Sequence, residues 1–261
     1  MSSTDLLGRL RGVGRFALVE FLTMNPPSIV ATALLPRAVV QTLFFTVLGG
    51  VLSGADGRRF AFVGGLAMSL VAVLIGDVGE VPVADKWAGT FGRLRTGVLH
   101  PFVLFVVRCW PYPVTATALT AVTIVCVGPL TGQSGLVLPL LSWLPVYLLM
   151  ALTSAATVLA AALLALGRRA ELLATNAVSF GILLAGGVFL PPGRVPVVDA
   201  VGTVLPIRHG LLALRAGLDG RPFAGELAAE ALVGAGWLLV AFVVTVVQAR
   251  RAHRLGIDDF A

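Results

Sequence analysis

Residues 60–79 read FAFVGGLAMSLVAVLIGDVG, a run in which Asp77 is the only ionisable group. A bilayer core about 30 Å thick is crossed by roughly 20 mainly apolar residues of helix, so this stretch has the length and composition of a membrane span. Five further stretches share that character: Ser28 to Leu52, Phe102 to Gly128, Leu136 to Leu166, Leu172 to Leu190 and Leu227 to Gln248. The expectation is an all-α integral membrane protein of six transmembrane helices, with residues 1–261 forming one domain. Hydrophobic residues make up 57% of the chain and charged ones 12%, about half the share of an ordinary soluble domain, which excludes a soluble globule.

The prolines give detail to the spans. Pro111 and Pro113 in the third, and Pro139 and Pro145 in the fourth, predict kinks unless the helices start later. Before the first span, Leu6, Leu10, Val13, Ala17 and Phe21 form one helical stripe, with Arg9, Arg11 and Arg15 mostly off it. This is the pattern of a helix at the membrane interface or of one packed on a partner, and Pro26 and Pro27 end it. Glu20 interrupts the apolar run there and no small-residue cleavage site follows, so the segment is expected to be retained.

The net charge of +6 does not mark a nucleic-acid binder, because the basic residues sit between apolar spans instead of on one face with aromatics. Arg9, Arg11, Arg15, Lys86, Arg93, Arg95, Arg168, Arg169, Arg250, Arg251 and Arg254 fall on one side of the spans, and fewer on the other. The positive-inside rule then puts both termini in the cytoplasm. The loop from Pro191 to Glu226 is external on this reading, and its mixture of Pro, Gly and apolar residues suggests a short helical re-entrant segment.

Several chemistries are absent. A phosphate-binding loop needs Gly-x-x-x-x-Gly-Lys-Ser/Thr, and the only lysine lies in Asp85-Lys86-Trp87. His100, His209 and His253 lie apart and make no metal-ligand pattern, and no catalytic constellation is visible. Cys109 and Cys126, about 25 Å apart along a helix, are beyond disulfide reach. Among charges inside spans, Arg37 would face position 75 if the first two spans turn near Asp56, which brings it to Asp77. The pair is either a membrane ion bridge, or Arg37 snorkels to the interface and Asp77 is hydrated. Arg108 reads as a snorkelling residue near the cytoplasmic edge, or else as a substrate contact.

Two stretches carry a resemblance. Asp85-Lys86-Trp87-Ala88-Gly89-Thr90-Phe91 is similar to a charged loop followed by Gly-Thr, and Gly187-Val188-Phe189-Leu190-Pro191 leads on to Leu205-Pro206-Ile207-Arg208-His209-Gly210-Leu211 and Leu214-Arg215. In this order and spacing the chain resembles permeases of the type-2 ABC transporter family, the drug-resistance and nodulation-factor exporters. The resemblance implies a multi-pass subunit of the bacterial plasma membrane, without a nucleotide site of its own, and therefore no enzyme. Its implied partners are a separate ATPase carrying ATP and magnesium, and a second permease in a homodimer or heterodimer.

Coupling to the ATPase would fall to Glu80, Asp85, Lys86, Trp87, Gly89, Thr90 and Arg93, and an external gate to Phe189, Pro191, Pro206 and His209. Trp87 stands where the family usually has an acid, and Arg93 where another acid is frequent. The implied function is outward movement of an amphipathic drug or antibiotic by alternating access. Export of a polysaccharide or lipid-linked glycan, or an enzyme or assembly factor using Asp199, Arg208 and His209 in the external loop, remain as alternatives.

Overall fold

The computed structural model describes residues 3–87, 89, 99–166, 171–191 and 193–255, and every regular element among them is helical. In chain order these are α1 (Ser3–Met24), α2 (Leu35–Trp87), α3 (Pro101–Arg108), α4 (Pro111–Leu130), α5 (Ser134–Ser142), α6 (Leu144–Ala165), α7 (Glu171–Ala185), α8 (Pro196–Gly202), α9 (Arg208–Leu218) and α10 (Ala224–Leu255). A helical turn at Pro27–Ile29 and a π-turn at Val30–Leu34 lead into α2. Among the described residues, four stretches are long and apolar enough to cross a membrane: Pro27–Asp85, Pro101–Leu130, Leu144–Ala165 and Ala224–Arg251.

The first of these contains a reversal. Ser53 (φ −141°, ψ 19°) and Gly54 (φ 67°, ψ −147°) leave helical geometry, and Gly54 takes a left-handed φ open to a residue without Cβ. The two arms then fold against each other: the Thr42 hydroxyl donates to the Gly65 carbonyl at 3.4 Å. A Cβ on Gly49 would lie 2.4 Å from the Ala61 Cβ, and one on Gly57 2.4 Å from the Gly49 carbonyl oxygen, so glycine permits the approach. Phe62, Leu66, Leu70 and Leu74, spaced four apart on the second arm, are fully buried.

This register corrects the proposed Arg37–Asp77 bridge. The turn sits at 53–54 and not at Asp56, so Arg37 lies beside position 70, about 10 Å along the axis from Asp77. Arg37 is exposed, within electrostatic range of Asp77 but outside ion-pair contact, and the buried Asp77 Oδ2 has no hydrogen-bond partner.

The other span boundaries also shift. Residues 102–128 are two helices, because α3 stops at Arg108 and Pro111 starts α4 at a position where no N–H is needed. Residues 136–166 break at Trp143, and Pro145 sits in the first turn of α6. The helix expected over 172–190 ends at Ala185, leaving 15 residues or about 22 Å. Gly187 (φ 75°) turns the chain there, and the Val188 carbonyl presses onto Gly64, where a Cβ would lie 2.3 Å away.

α6 is the central helix, packed against both α2 and α10. Its Ala151, Ala155, Ala156 and Ala160 are buried, and Gly234 of α10 meets the Thr153 side chain so closely that a Cβ would lie 2.6 Å from it. α10 leaves Leu232, Leu239, Phe242, Val243 and Val247 exposed, an apolar face suited to lipid.

Gly57→Ala should destabilise the protein by about 1–3 kcal/mol, because the added methyl overpacks a backbone contact. Gly236→Ala, at a site with no atom within 4 Å, should leave stability unchanged or raise it. Thermal melting of the purified variants in one detergent checks both.

Candidate functional site

Polar chemistry gathers at the two ends of the bundle. At one end α1, α2 and α3 meet on Arg108, which is buried. Its Nη2 donates to Glu20 Oε1 at 2.6 Å and its Nε to Glu20 Oε2 at 3.2 Å, a bidentate fork, while Nη1 donates to Asp85 Oδ2. Arg108 is therefore buried in an ion cluster and does not snorkel. α1 folds over it, with Trp110 Nε1 donating to the Gly14 carbonyl at 3.1 Å and Phe21 set edge-on to Tyr112 at 5.2 Å.

Asp85, assigned to coupling, is thus buried against Arg108 within the chain. Glu80 is exposed on the last turns of α2, and Gly89 is exposed with φ 63°. Lys86 and Trp87 extend the helical backbone, but their side chains, together with Thr90 and Arg93, lie outside the described residues.

At the other end the Leu205–Arg215 stretch is tied to its surroundings at each polar residue. Ile207 has a left-handed φ of 67°, and its N–H donates to Glu230 Oε1 at 2.8 Å, as the Gly210 N–H does to Glu230 Oε2 at 2.9 Å. Thr153 of α6 also donates to Glu230. A carboxylate on α10, fully buried, therefore caps the N-terminus of α9, where free N–H groups and the helix dipole favour negative charge. Gly210 allows this, since a Cβ there would lie 2.3 Å from Met150 Cγ.

Arg208 donates to the Ala185 carbonyl at 3.2 Å, satisfying the end of α7, and pairs with Asp199. Asp199 also accepts from the Gly193 N–H at 2.8 Å. His209 shares a 2.7 Å hydrogen bond with Glu226, and Trp237 Nε1 donates to the Val204 carbonyl at 2.8 Å. Arg215 donates to the carbonyls of Gly187 (2.9 Å) and Phe60 (3.3 Å), and its guanidinium lies 3.5 Å from the Phe60 ring centroid. Burial lowers the Arg215 pKa to about 10, so it stays protonated at neutral pH.

The proposed gate residues do not converge on one space. Phe189 stacks edge-on against Phe45 at 4.5 Å and, with Pro191, lines a cavity of about 470 Å³ beside the α2 turn. Pro206 is buried in the turn before α9 and His209 faces Glu226, so neither lines that cavity. A second cavity of about 590 Å³ lies between the α2 turn, α9 and the start of α10, and Phe60 and Asp56 border both. Sequence reasoning missed Glu230, although a lone carboxylate inside an apolar span demands a partner and was signal enough.

A family model described as ABC-2 type transporter matches residues 25–218. No curated protein and no solved structure matches the chain.

Two predictions follow from these contacts. Arg108→Ala removes the bidentate partner of Glu20 and should cost about 3 kcal/mol, whereas adding Glu20→Gln to it should recover part of that loss in thermal melting. The Arg208 hydrogen bond to Asp199, and the Arg221 hydrogen bond to Asp219, hold those carboxyls below their ordinary 3.8. Stability from such lowered groups is complete above the unfolded value and lost as pH falls through the folded one. The melting temperature should thus be less sensitive to acid below pH 3.8 in an Asp199→Asn/Asp219→Asn variant than in the parent.

Proposed function

The chain belongs to the ABC-2 type transporter family and is a membrane permease subunit, and from that premise we propose that it exports an amphipathic, drug-like molecule using a separate ATPase. The chain crosses the membrane six times on this reading. α2 supplies two crossings through its hairpin, the α3–α4 stretch, α6 and α10 supply one each, and α7 with the Gly186–Leu190 stretch supplies a short fifth. α8 and α9 form the external re-entrant segment, and both termini are cytoplasmic. Two permeases face each other across the substrate path, while paired ATPase subunits carry ATP and magnesium.

The observation that carries the reading is the position of Asp85. The acid that opens the charged stretch ends the hairpin's second arm and is held by Arg108 to Glu20 of α1. A push on that stretch therefore loads three segments at once. ATP binding shifts the permease between inward-open and outward-open forms only through its differential affinity for them. The two cavities, of about 590 and 470 Å³, fall in the size range of small-molecule sites and mix apolar walls with charged rims, which favours an amphipathic substrate. Asp199, Arg208 and His209, the groups an enzyme would need, are engaged in structural contacts.

Co-purification with a candidate ATPase tests the proposal. Lys86→Glu should weaken the complex about tenfold, as expected for reversing one interfacial charge. Asp85→Asn should leave binding largely intact and lower transport-linked ATP hydrolysis, because Asp85 is buried against Arg108. A chain that binds no ATPase, and whose phenotype follows the external loop alone, would sink the exporter reading in favour of an enzyme or assembly factor.

A further inference from the structure

Arg215 is a half-buried cation with no counter-ion among the described residues. Its acceptors are two carbonyls and an aromatic face, its Nε is buried with no partner, and no ion pair among the described residues includes it. It also lines the 590 Å³ cavity, together with Phe60, Val63, Leu212 and Leu218. The charges at the rim are largely spent on one another. Asp219 holds both Arg59 (2.9 Å) and Arg221 (3.0 Å), and Glu226 shares a hydrogen bond with His209. Asp56, exposed, borders the cavity and makes no ion pair among the described residues.

A desolvated guanidinium facing only neutral acceptors is stabilised most by an anion that shares its low-dielectric surroundings. We propose that this cavity binds an amphiphile with an acidic head, a carboxylate or phosphate, whose anionic group takes the free donor capacity of Arg215 while its apolar body lies along Phe60, Val63, Leu212 and Leu218. The same chemistry fits a transported acidic amphiphile or an anionic lipid headgroup. The inference deepens the exporter reading and rests on it for the side of the membrane, but binding itself needs no ATPase. Its failure therefore leaves the exporter reading standing, and loss of ATPase binding leaves the cavity standing.

The test uses the full chain in phosphatidylcholine nanodiscs, titrated with dansylated undecanoic acid and with its primary amide, read by dansyl fluorescence. The acid should bind about ten- to a hundredfold more tightly than the amide, the worth of a charged hydrogen bond. Arg215→Gln should erase that preference, Leu212→Trp should block both probes by filling the cavity, and Asp56→Asn should tighten the acid. Equal binding of acid and amide overturns the proposal, as does an acid preference that survives Arg215→Gln. Should that variant fail to fold, unchanged acid binding in Leu212→Trp overturns it instead. Repeating the titration with phosphatidylglycerol in the disc separates the sources: competition identifies a resident anionic lipid, and none identifies a free amphiphile.

Discussion

Helix breaks inside apolar surroundings leave backbone N–H and C=O groups that no water reaches, and those groups must be satisfied from within the protein. The placement of charge in and around the Leu205–Arg215 stretch follows from that constraint. Glu230 takes the N–H groups of Ile207 and Gly210, Arg208 takes the Ala185 carbonyl, and Arg215 takes those of Gly187 and Phe60. The Leu205–Arg215 stretch is thus a set of caps for α7, α9 and the turn between them. Its residue types are explained by backbone groups needing partners, before any role in gating is invoked.

Arg108 obeys a different logic. It sits at the break between α3 and α4 but spends its donors on two carboxylates from separate segments. A buried ion cluster of this kind adds little net stability over apolar packing, yet removing one member is costly, so it fixes which segments meet more than how tightly they hold. Glu20 therefore places α1, and Asp85 places the end of α2, against the same guanidinium.

Hydropathy made the all-helical membrane class legible, because length and apolar composition are properties of each stretch alone. The ends were not, since they depend on where chain reversal competes with helix propagation. Ser53 and Gly54 turn the chain two to three residues before Asp56, a difference large enough to move Arg37 out of contact with Asp77. Gly187 likewise ends α7 inside a run whose hydropathy continues to Leu190. The partners of Arg108 were hidden for a related reason: Glu20 and Asp85 are 88 and 23 residues away, and no periodicity links them. The Leu205–Arg215 motif was recognisable as a pattern, but Glu230 lies outside it, and only the fold shows that the pattern is completed from α10.

One element joins the two polar ends. The second arm of the α2 hairpin carries Phe60, whose carbonyl and ring both meet Arg215, and Asp85, which meets Arg108. The 25 residues between them span about 38 Å of helix, and the four-residue stripe from Phe62 to Leu74 packs that arm into the core. Packed interiors resist compression, so the arm's buried stretch moves as a body and not by local yielding. The exception is near Pro82, which cannot donate to Val78 and so loosens the last turns before Asp85. Pro82 thus lies between Asp85 and the part of the arm that carries the Phe60 contact with Arg215.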